Sequence, residues 1–190
     1  MRSSIQDRIS FLRSFLANPR QVGAVLPTSR RAVRDLLDPA DLSGARTVVE
    51  FGAGTGVCTR EILKRLGPDA RLLAFELDRS LARLVSEELG SDPRLRVIND
   101  SAENVTLYLE DEPADVIVSA LPFTTLPAEL RRSVLGAAHR ALAPGGIFLV
   151  LQYSPLIRAE LEALFGGVRF RFSPLNVPPA FLFACEKVPR

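Results

Sequence analysis

Glu50, Glu76 and Asp100 close three successive apolar runs, in "VVEF", "LLAFELD" and "VINDSAEN". The first run leads into Gly52, Gly54 and Gly56, and a helical pattern restarts at "VCTREI". An apolar strand that ends in glycines and resumes as a helix is a usual way to hold a nucleotide-like cofactor. The spacing here is G-x-G-x-G, not the G-x-G-x-x-G of dinucleotide folds, and no Gly-Lys-Ser/Thr follows to make a phosphate loop. A carboxylate at Glu50 would repel a pyrophosphate at the glycine turn and attract an ammonium group. Glu76 is placed to accept from both hydroxyls of a ribose. Asp100 can accept from an adenine amino group, or it can cap the helix that starts in "SAEN". The glycines could serve a tight turn alone and Glu76 could be a surface acid, but three successive strand ends point to one site. The ligand expected there carries a ribose, an adenine and a cation, without phosphate. S-adenosylmethionine meets that description.

Those residues need elements to bring them together. Strands are expected over 46–51, 71–76, 95–99, 115–119 and 146–152, with helices over 57–66, 79–89, 102–109 and 127–142 between them. The last of these helices should end at "APGG". A helix over 155–165 and strands over 167–173 and 180–187 follow. Strand–helix alternation predicts an α/β fold with a parallel sheet and helices on both faces. Right-handed crossovers then place a ligand at the carboxyl ends of the strands, where the strand order reverses. With no helix between the final two strands, they should form an antiparallel hairpin at the sheet edge.

Ahead of this core, "SSIQDRISFLRSFLA" sets Ile5, Ile9, Leu12, Phe15 and Leu16 on one helical stripe over residues 3–17, ended by Asn18-Pro19. A second helix should start at Thr28 or Ser29, either of which can cap it, and run to Leu37. Residues 1–37 hold seven arginines against two aspartates, a net of +5, while the other 17 basic and 20 acidic residues net −3. A basic front on a mildly acidic body suits an anionic partner, nucleic acid or a membrane surface, or is a solvated arginine face. At 190 residues, 47% apolar and 24% charged, the chain reads as one globular domain. Its N-terminal extension spans 1–37 and its cofactor-binding core 45–187. Cys58 and Cys185 show no disulfide or metal spacing and read as reduced cytosolic thiols. One histidine, His139, leaves no multi-histidine metal site, and no metal is expected. It reads as a surface residue. No apolar run reaches the roughly 18 residues of a membrane span, and no secretory segment is seen.

The stretches "VVEFGAGTG", "AFELD", "NDSAEN" and "DVIVSALPF" resemble the successive motifs of class I S-adenosylmethionine-dependent methyltransferases. The resemblance covers residues 45–187 and implies a seven-stranded, mostly parallel, Rossmann-like sheet with an antiparallel last strand. It implies a cofactor site at Glu50, Phe51, Gly52, Gly54, Thr55, Gly56, Glu76, Leu77, Asp100, Ser101, Ala102 and Ser119.

"SALPFTTLP" looks like the N-L-P-Y stretch of RNA adenine dimethyltransferases, in which Asn accepts from the target amine and the aromatic stacks on the base. Here Ala120 stands at the Asn position, and Phe123 either stacks or is core under a loop. A second group is similar over nearly the whole chain. "NPRQVGAVLPTSR", "GAGTG", "SALPFTTLP", "LQYSP" and "NVPPAFLF" together resemble bacterial phospholipid N-methyltransferases, which carry phosphatidylethanolamine in up to three steps toward phosphatidylcholine. Ala53 and Asn99 depart from that group's commoner Pro and Gly.

This resemblance implies a cytoplasmic enzyme held peripherally at the inner face of the cell membrane. Arg2, Arg8, Arg13, Thr28, Ser29, Pro122, Phe123 and Asn176 would meet lipid. The helix over 3–17 would anchor in the headgroups, or close over the cofactor as a lid. Methyl transfer is an in-line displacement, so an amine must be held behind the methyl group. The backbone carbonyls of Ser119, Ala120 and Leu121 and the Tyr153 hydroxyl are the groups expected to orient it, unless Tyr153 is only a strand-end core residue. RNA adenine methylation and a non-catalytic lipid-surface module are the alternatives. The second would need a broken cofactor site, whereas Glu50, Glu76 and Asp100 are all present.

Overall fold

The computed structural model describes residues 29–110, 112–174, 176 and 179–188. The expected helix over 3–17, with Arg2, Arg8 and Arg13, and Thr28 lie outside the described residues. Ser29 caps helix α1 (Arg30–Leu37): its side chain accepts from the Ala32 amide, and Ala32, Val33, Leu36 and Leu37 form the buried face. Strand β1 (Thr47–Phe51) is buried along its whole length, as expected of a parallel strand covered on both faces. Helix α2 (Val57–Leu63), strand β2 (Arg71–Phe75), helix α3 (Arg79–Leu89) and strand β3 (Leu95–Ile98) complete the first half. The second half contains β4 (Ala114–Ser119), α4 (Ala128–Ala141), β5 (Leu142–Gln152), α5 (Arg158–Phe165), β6 (Gly166–Ser173) and β7 (Ala180–Lys187).

The seven strands lie in the order β3-β2-β1-β4-β5-β7-β6. β1 through β5 run parallel to one another, and β7 runs antiparallel between β5 and β6. The chain moves outward in one direction from β1 and in the other from β4, so the order reverses between them. Alternate residues of the central strands feed two cores. Val49, Phe51, Ile117 and Phe148 join α4 and α5 on one face. Val48, Val116, Val118 and Leu149 join α1 and α2 on the other.

Three local departures have physical causes. Residues Ala102–Tyr108 form a 3-10 helix instead of an α-helix. β-branched Val105 and Thr106 weaken an α-helix there, and the Asn104 side chain turns back to Asp100 (3.0 Å). "APGG" is absorbed into β5 as an irregularity, with the pairing broken between Ala114 and Val116 and Gly145 at a φ of 76°. The hairpin of β6 and β7 has its second strand inside and β6 at the edge. That edge exposes Arg169, Phe170, Arg171 and Phe172, with Phe170 and Phe172 at 41% and 47%.

Candidate functional site

The site begins where β1 ends. Gly52, Gly54 and Gly56 all take positive φ, a backbone shape that other residues adopt at a cost. At Gly52 (φ 81°) a Cβ would also lie 2.8 Å from the Leu121 Cδ2, so the Leu121 side chain would have to shift. The turn is pinned to β2: the amides of Gly52 and Ala53 both donate to the Phe75 carbonyl, at 2.9 and 3.0 Å. The Gly54 amide donates to Glu76 Oε2 at 2.8 Å, and the Asp78 amide to Oε1 at 2.9 Å. Glu76 is thereby fixed, 4% exposed, with one lone pair on each oxygen still open. Burial raises its pKa, and these backbone bonds oppose the rise.

At the end of β3, Asp100 sits at the centre of a cluster. Oδ1 accepts from the Ser101 amide (2.7 Å) and the Asn104 amide group (3.0 Å), and Oδ2 accepts from the Tyr108 hydroxyl (2.8 Å). Ser101, not Asp100, caps the following 3-10 helix. Three donors leave Asp100 a single acceptor position, on Oδ2, enough for one N–H of an amino group. Asn99 steadies the neighbouring wall: its amide group donates to the carbonyls of Glu76 and Leu77, at 2.9 and 3.0 Å.

These residues line one cleft at the carboxyl edge, where Gly52, Glu76, Leu77, Asp100, Ser101 and Ala102 meet Leu121. Glu50 does not line it. Its side chain turns to the α2 side, 1% exposed, where Thr59 donates to Oε2 at 2.7 Å. Glu50 Oε1 is the buried oxygen without a hydrogen-bond partner among the described residues. Burial pushes this carboxyl up to about 7, against the pull of the Thr59 hydroxyl. A buried, unpartnered carboxylate oxygen behind the glycine turn suits a cationic ligand, and two carboxylates in the cleft wall suit hydroxyl and amino donors. No cluster of histidine, cysteine, aspartate or glutamate among the described residues could hold a metal ion.

The loop after β4 corrects several expectations. Phe123 is 0% exposed and packs edge-on to Phe148 at 6.4 Å, so it is core and cannot stack on a substrate. Phe51 is likewise core, edge-on to Phe75 at 6.1 Å, and lends the site only backbone. The Leu121 carbonyl accepts from the Gln152 amide group (2.7 Å) and the Phe123 amide (2.9 Å), which fills both lone pairs. It cannot orient an amine as expected. Ser119 is fully buried, and its hydroxyl accepts from the Leu121 amide at 3.2 Å. The Pro122 carbonyl is taken by Thr125, through both amide (3.0 Å) and hydroxyl (2.8 Å).

Ala120 and Tyr153 remain half-buried, Tyr153 against the α1–α2 core. Thr55 is exposed at the tip of the turn. Asn176 is 2% exposed and accepts from the Ser29 hydroxyl, so those two residues meet each other inside the protein instead of facing lipid. His139 is not a free surface residue, since its ring packs edge-on to Phe165 at 5.3 Å. Thr59, Asn104, Tyr108 and Gln152 were not expected at the site. Asn104 was legible in "NDSAEN" and Gln152 in "LQYSP", but their partners lie on other elements.

Residues 48–146 match the methyltransferase domain family. The chain is 32% identical to an ornithine lipid N-methyltransferase of Singulisphaera acidiphila over 188 residues, which is 97% of this chain and 98% of that protein. It is 29% identical to the ribosomal RNA small subunit methyltransferase A of Dehalococcoides mccartyi, covering 82% of this chain but 54% of the relative. Among solved structures, an rRNA methylase from Streptococcus thermophilus superposes with a TM-score of 0.64 at 22% identity, covering 87% of this chain and all of that one.

Proposed function

The chain belongs to the class I S-adenosylmethionine-dependent methyltransferases, and from that premise we propose that it methylates the primary amine of a membrane-lipid headgroup. Phosphatidylethanolamine is the leading substrate. The observation that carries this reading is the make-up of the loop after β4. Ala120 offers no amide and Phe123 no exposed ring, so the loop has neither grip that a nucleobase requires. A small amine needs neither. The match to a lipid N-methyltransferase runs the length of both chains, whereas the ribosomal RNA relative extends well beyond this chain. The net +5 of residues 1–37 supports an anionic surface as partner, with Arg2, Arg8 and Arg13 drawn to lipid phosphates.

When bound, S-adenosylmethionine supplies an electrophilic methyl group. Two cleft residues would hold it, Glu76 toward the ribose hydroxyls and Asp100 toward the adenine amino group. Glu50, buried behind the turn and outside the cleft, would favour a cation there in its ionised form. The chain must also seat an amine nitrogen, lone pair free, behind that methyl. A primary amine is an ammonium at neutral pH, so one proton leaves to water before each attack. The Ala120 carbonyl and the Tyr153 hydroxyl, both on half-buried residues, are then the acceptors for its two N–H bonds, whereas Ser119 is too deeply buried to reach it.

The test is incubation with radiolabelled S-adenosylmethionine and vesicles containing phosphatidylethanolamine, vesicles containing ornithine lipid, or total RNA. Label in phosphatidylethanolamine is the expected result. Label confined to ornithine lipid would replace the headgroup within the same class, and label in RNA with none in lipid would overturn the proposal.

A further inference from the structure

The edge strand β6 carries an unusual surface. Along "VRFRF", residues alternate between arginine and an aromatic or aliphatic group, and four of the five are exposed. Phe170 and Phe172 stack on β7, 5.9 and 5.2 Å from the Phe181 ring, yet remain 41% and 47% exposed. The Arg158 guanidinium lies over Phe170 at 5.7 Å. Leu156, two residues before it, is 79% exposed. Large apolar side chains left open together on one edge mark a contact surface.

Register places that surface beside the site. Phe172 pairs with Phe181, and Phe181 with Gln152, the last residue of β5. Paired residues share a sheet face, so the three form one row at the carboxyl edge. Gln152 in turn donates to the Leu121 carbonyl. At the usual strand spacing, Phe172 therefore sits roughly 10 Å across the sheet from β5 and roughly 14 Å from β4, which carries the site loop.

The chemistry selects one occupant. A second copy pairing antiparallel through β6 about Phe170 would set Arg169 opposite Arg171, and centring on either arginine would set it against itself. Like charges directly opposite destabilise such a pair, and edge arginines are a common guard against it. Arg171 is tied to Asp35 at 3.5 Å and Arg158 to Glu162 at 2.7 Å, whereas Arg169 makes no ion pair among the described residues. Arg169 pairs with Ala184 and so lies on the opposite face of the strand from Phe170 and Phe172. A strand edge that meets a bilayer edge-on sets the rings at the acyl boundary on one side and this arginine among anionic headgroups on the other.

We propose that Leu156, Phe170, Phe172 and Arg169 dock on an anionic bilayer and hold the mouth of the site at headgroup level. The proposal rests on the lipid-methylation reading and adds to it a contact on the folded body of the protein. A headgroup amine cannot travel far from its bilayer, so the surface next to the cleft must meet the lipid.

The experiment is flotation of the full chain with vesicles of phosphatidylglycerol and phosphatidylcholine. They contain no acceptor amine, so docking is read independently of which molecule receives the methyl group. Phe172→Glu and Arg169→Glu should each lower the vesicle partition coefficient about tenfold. Leu107→Glu, which places the same charge on a residue 77% exposed in the 3-10 segment after β3, should change it less than about twofold. All three should bind S-adenosylhomocysteine as the parent does, which verifies the fold. If Phe172→Glu does not fold, Arg169→Glu decides. A folded edge variant that floats like the parent overturns the proposal, and so does a parent dimer that Arg169→Glu dissociates.

Discussion

The Ser29 hydroxyl accepts from the Ala32 amide at 3.1 Å and donates to the Asn176 amide oxygen, 147 residues away. One hydroxyl therefore caps α1 and fastens it to the connection between β6 and β7, at the edge where the cleft opens. Ser29→Ala should cost about 1–2 kcal/mol, from the lost cap and the lost bond to a buried amide. Asn176→Ala should cost about 1 kcal/mol, and the double variant less than the sum, because both remove the same bond. Urea unfolding of the four proteins measures this; strict additivity would show that the two residues are not coupled.

Glu76→Ala should weaken S-adenosylmethionine binding by about 1.5–3 kcal/mol, since the charged acceptor for two ribose hydroxyls disappears. The Gly54 and Asp78 amides also lose their partner, which loosens the turn. Calorimetry on the folded variant should show roughly ten- to a hundredfold weaker binding, and unchanged affinity would sink the ribose assignment.

The stability of the ligand-free protein should fall between mildly acidic and neutral pH. Glu50 titrates at about 7 in the fold against an ordinary 4.5, because burial disfavours its charge. Between those values the folded state holds a proton that the unfolded chain has released. The contribution of neutral Glu50 is thus complete below about pH 4.5 and lost as the pH rises through about 7, amounting to about 3 kcal/mol at most. Glu50→Gln should flatten that slope and weaken cofactor binding. Urea midpoints at pH 5 and pH 8 test it, and equal slopes in the two proteins would refute the assignment.

Gly52→Ala and Gly54→Ala should separate strain from collision. Each forces alanine into a left-handed backbone, at about 1–2 kcal/mol. Gly54 has open space around a new Cβ, whereas at Gly52 Leu121 must move from the cleft wall. Gly52→Ala should therefore be the less stable of the two, by about 1 kcal/mol or more, and equal unfolding midpoints would count against that contact.

Ala120→Asn should slow methyl transfer to lipid vesicles about tenfold, by crowding the seat of a small amine. It should not create transfer to RNA, because Phe123 stays in the core and no ring faces the new amide. Initial rates on vesicles and on total RNA decide this. New RNA methylation in the variant would mean that a base can enter after all.

Local patterns carried most of the fold. α3 spans 79–89 as its periodicity predicts, because an apolar stripe and the Asp78 cap define both stripe and start. The glycine turn and the strand-end positions of Glu50, Glu76 and Asp100 were equally legible, since strand ends are set by neighbours in sequence, but that Glu50 turns away from the cleft was not. What sequence spacing does not encode is which face a residue takes in a loop. Phe123 and Phe51 were expected at the site and lie in the core, whereas Gln152 reaches it through a bond to Leu121 in the loop after β4. The family resemblance implies lipid contact for both Ser29 and Asn176, and only the tertiary structure shows that they meet each other.

The interior position of β7 has a consequence for how the protein is made. Strands are synthesised in order, but β7, later in the chain than any other strand, fills the slot between β5 and β6. Until it leaves the ribosome, the outer edge of β5 and the inner edge of β6 lack their partner, with Phe148, Val150 and Phe170 near the open seam. Such an intermediate displays bare strand edges beside apolar side chains, the combination most prone to aggregate. Closing the sheet late makes residues 180–187 the stretch where a slowed ribosome or a chaperone would most change the yield of folded protein.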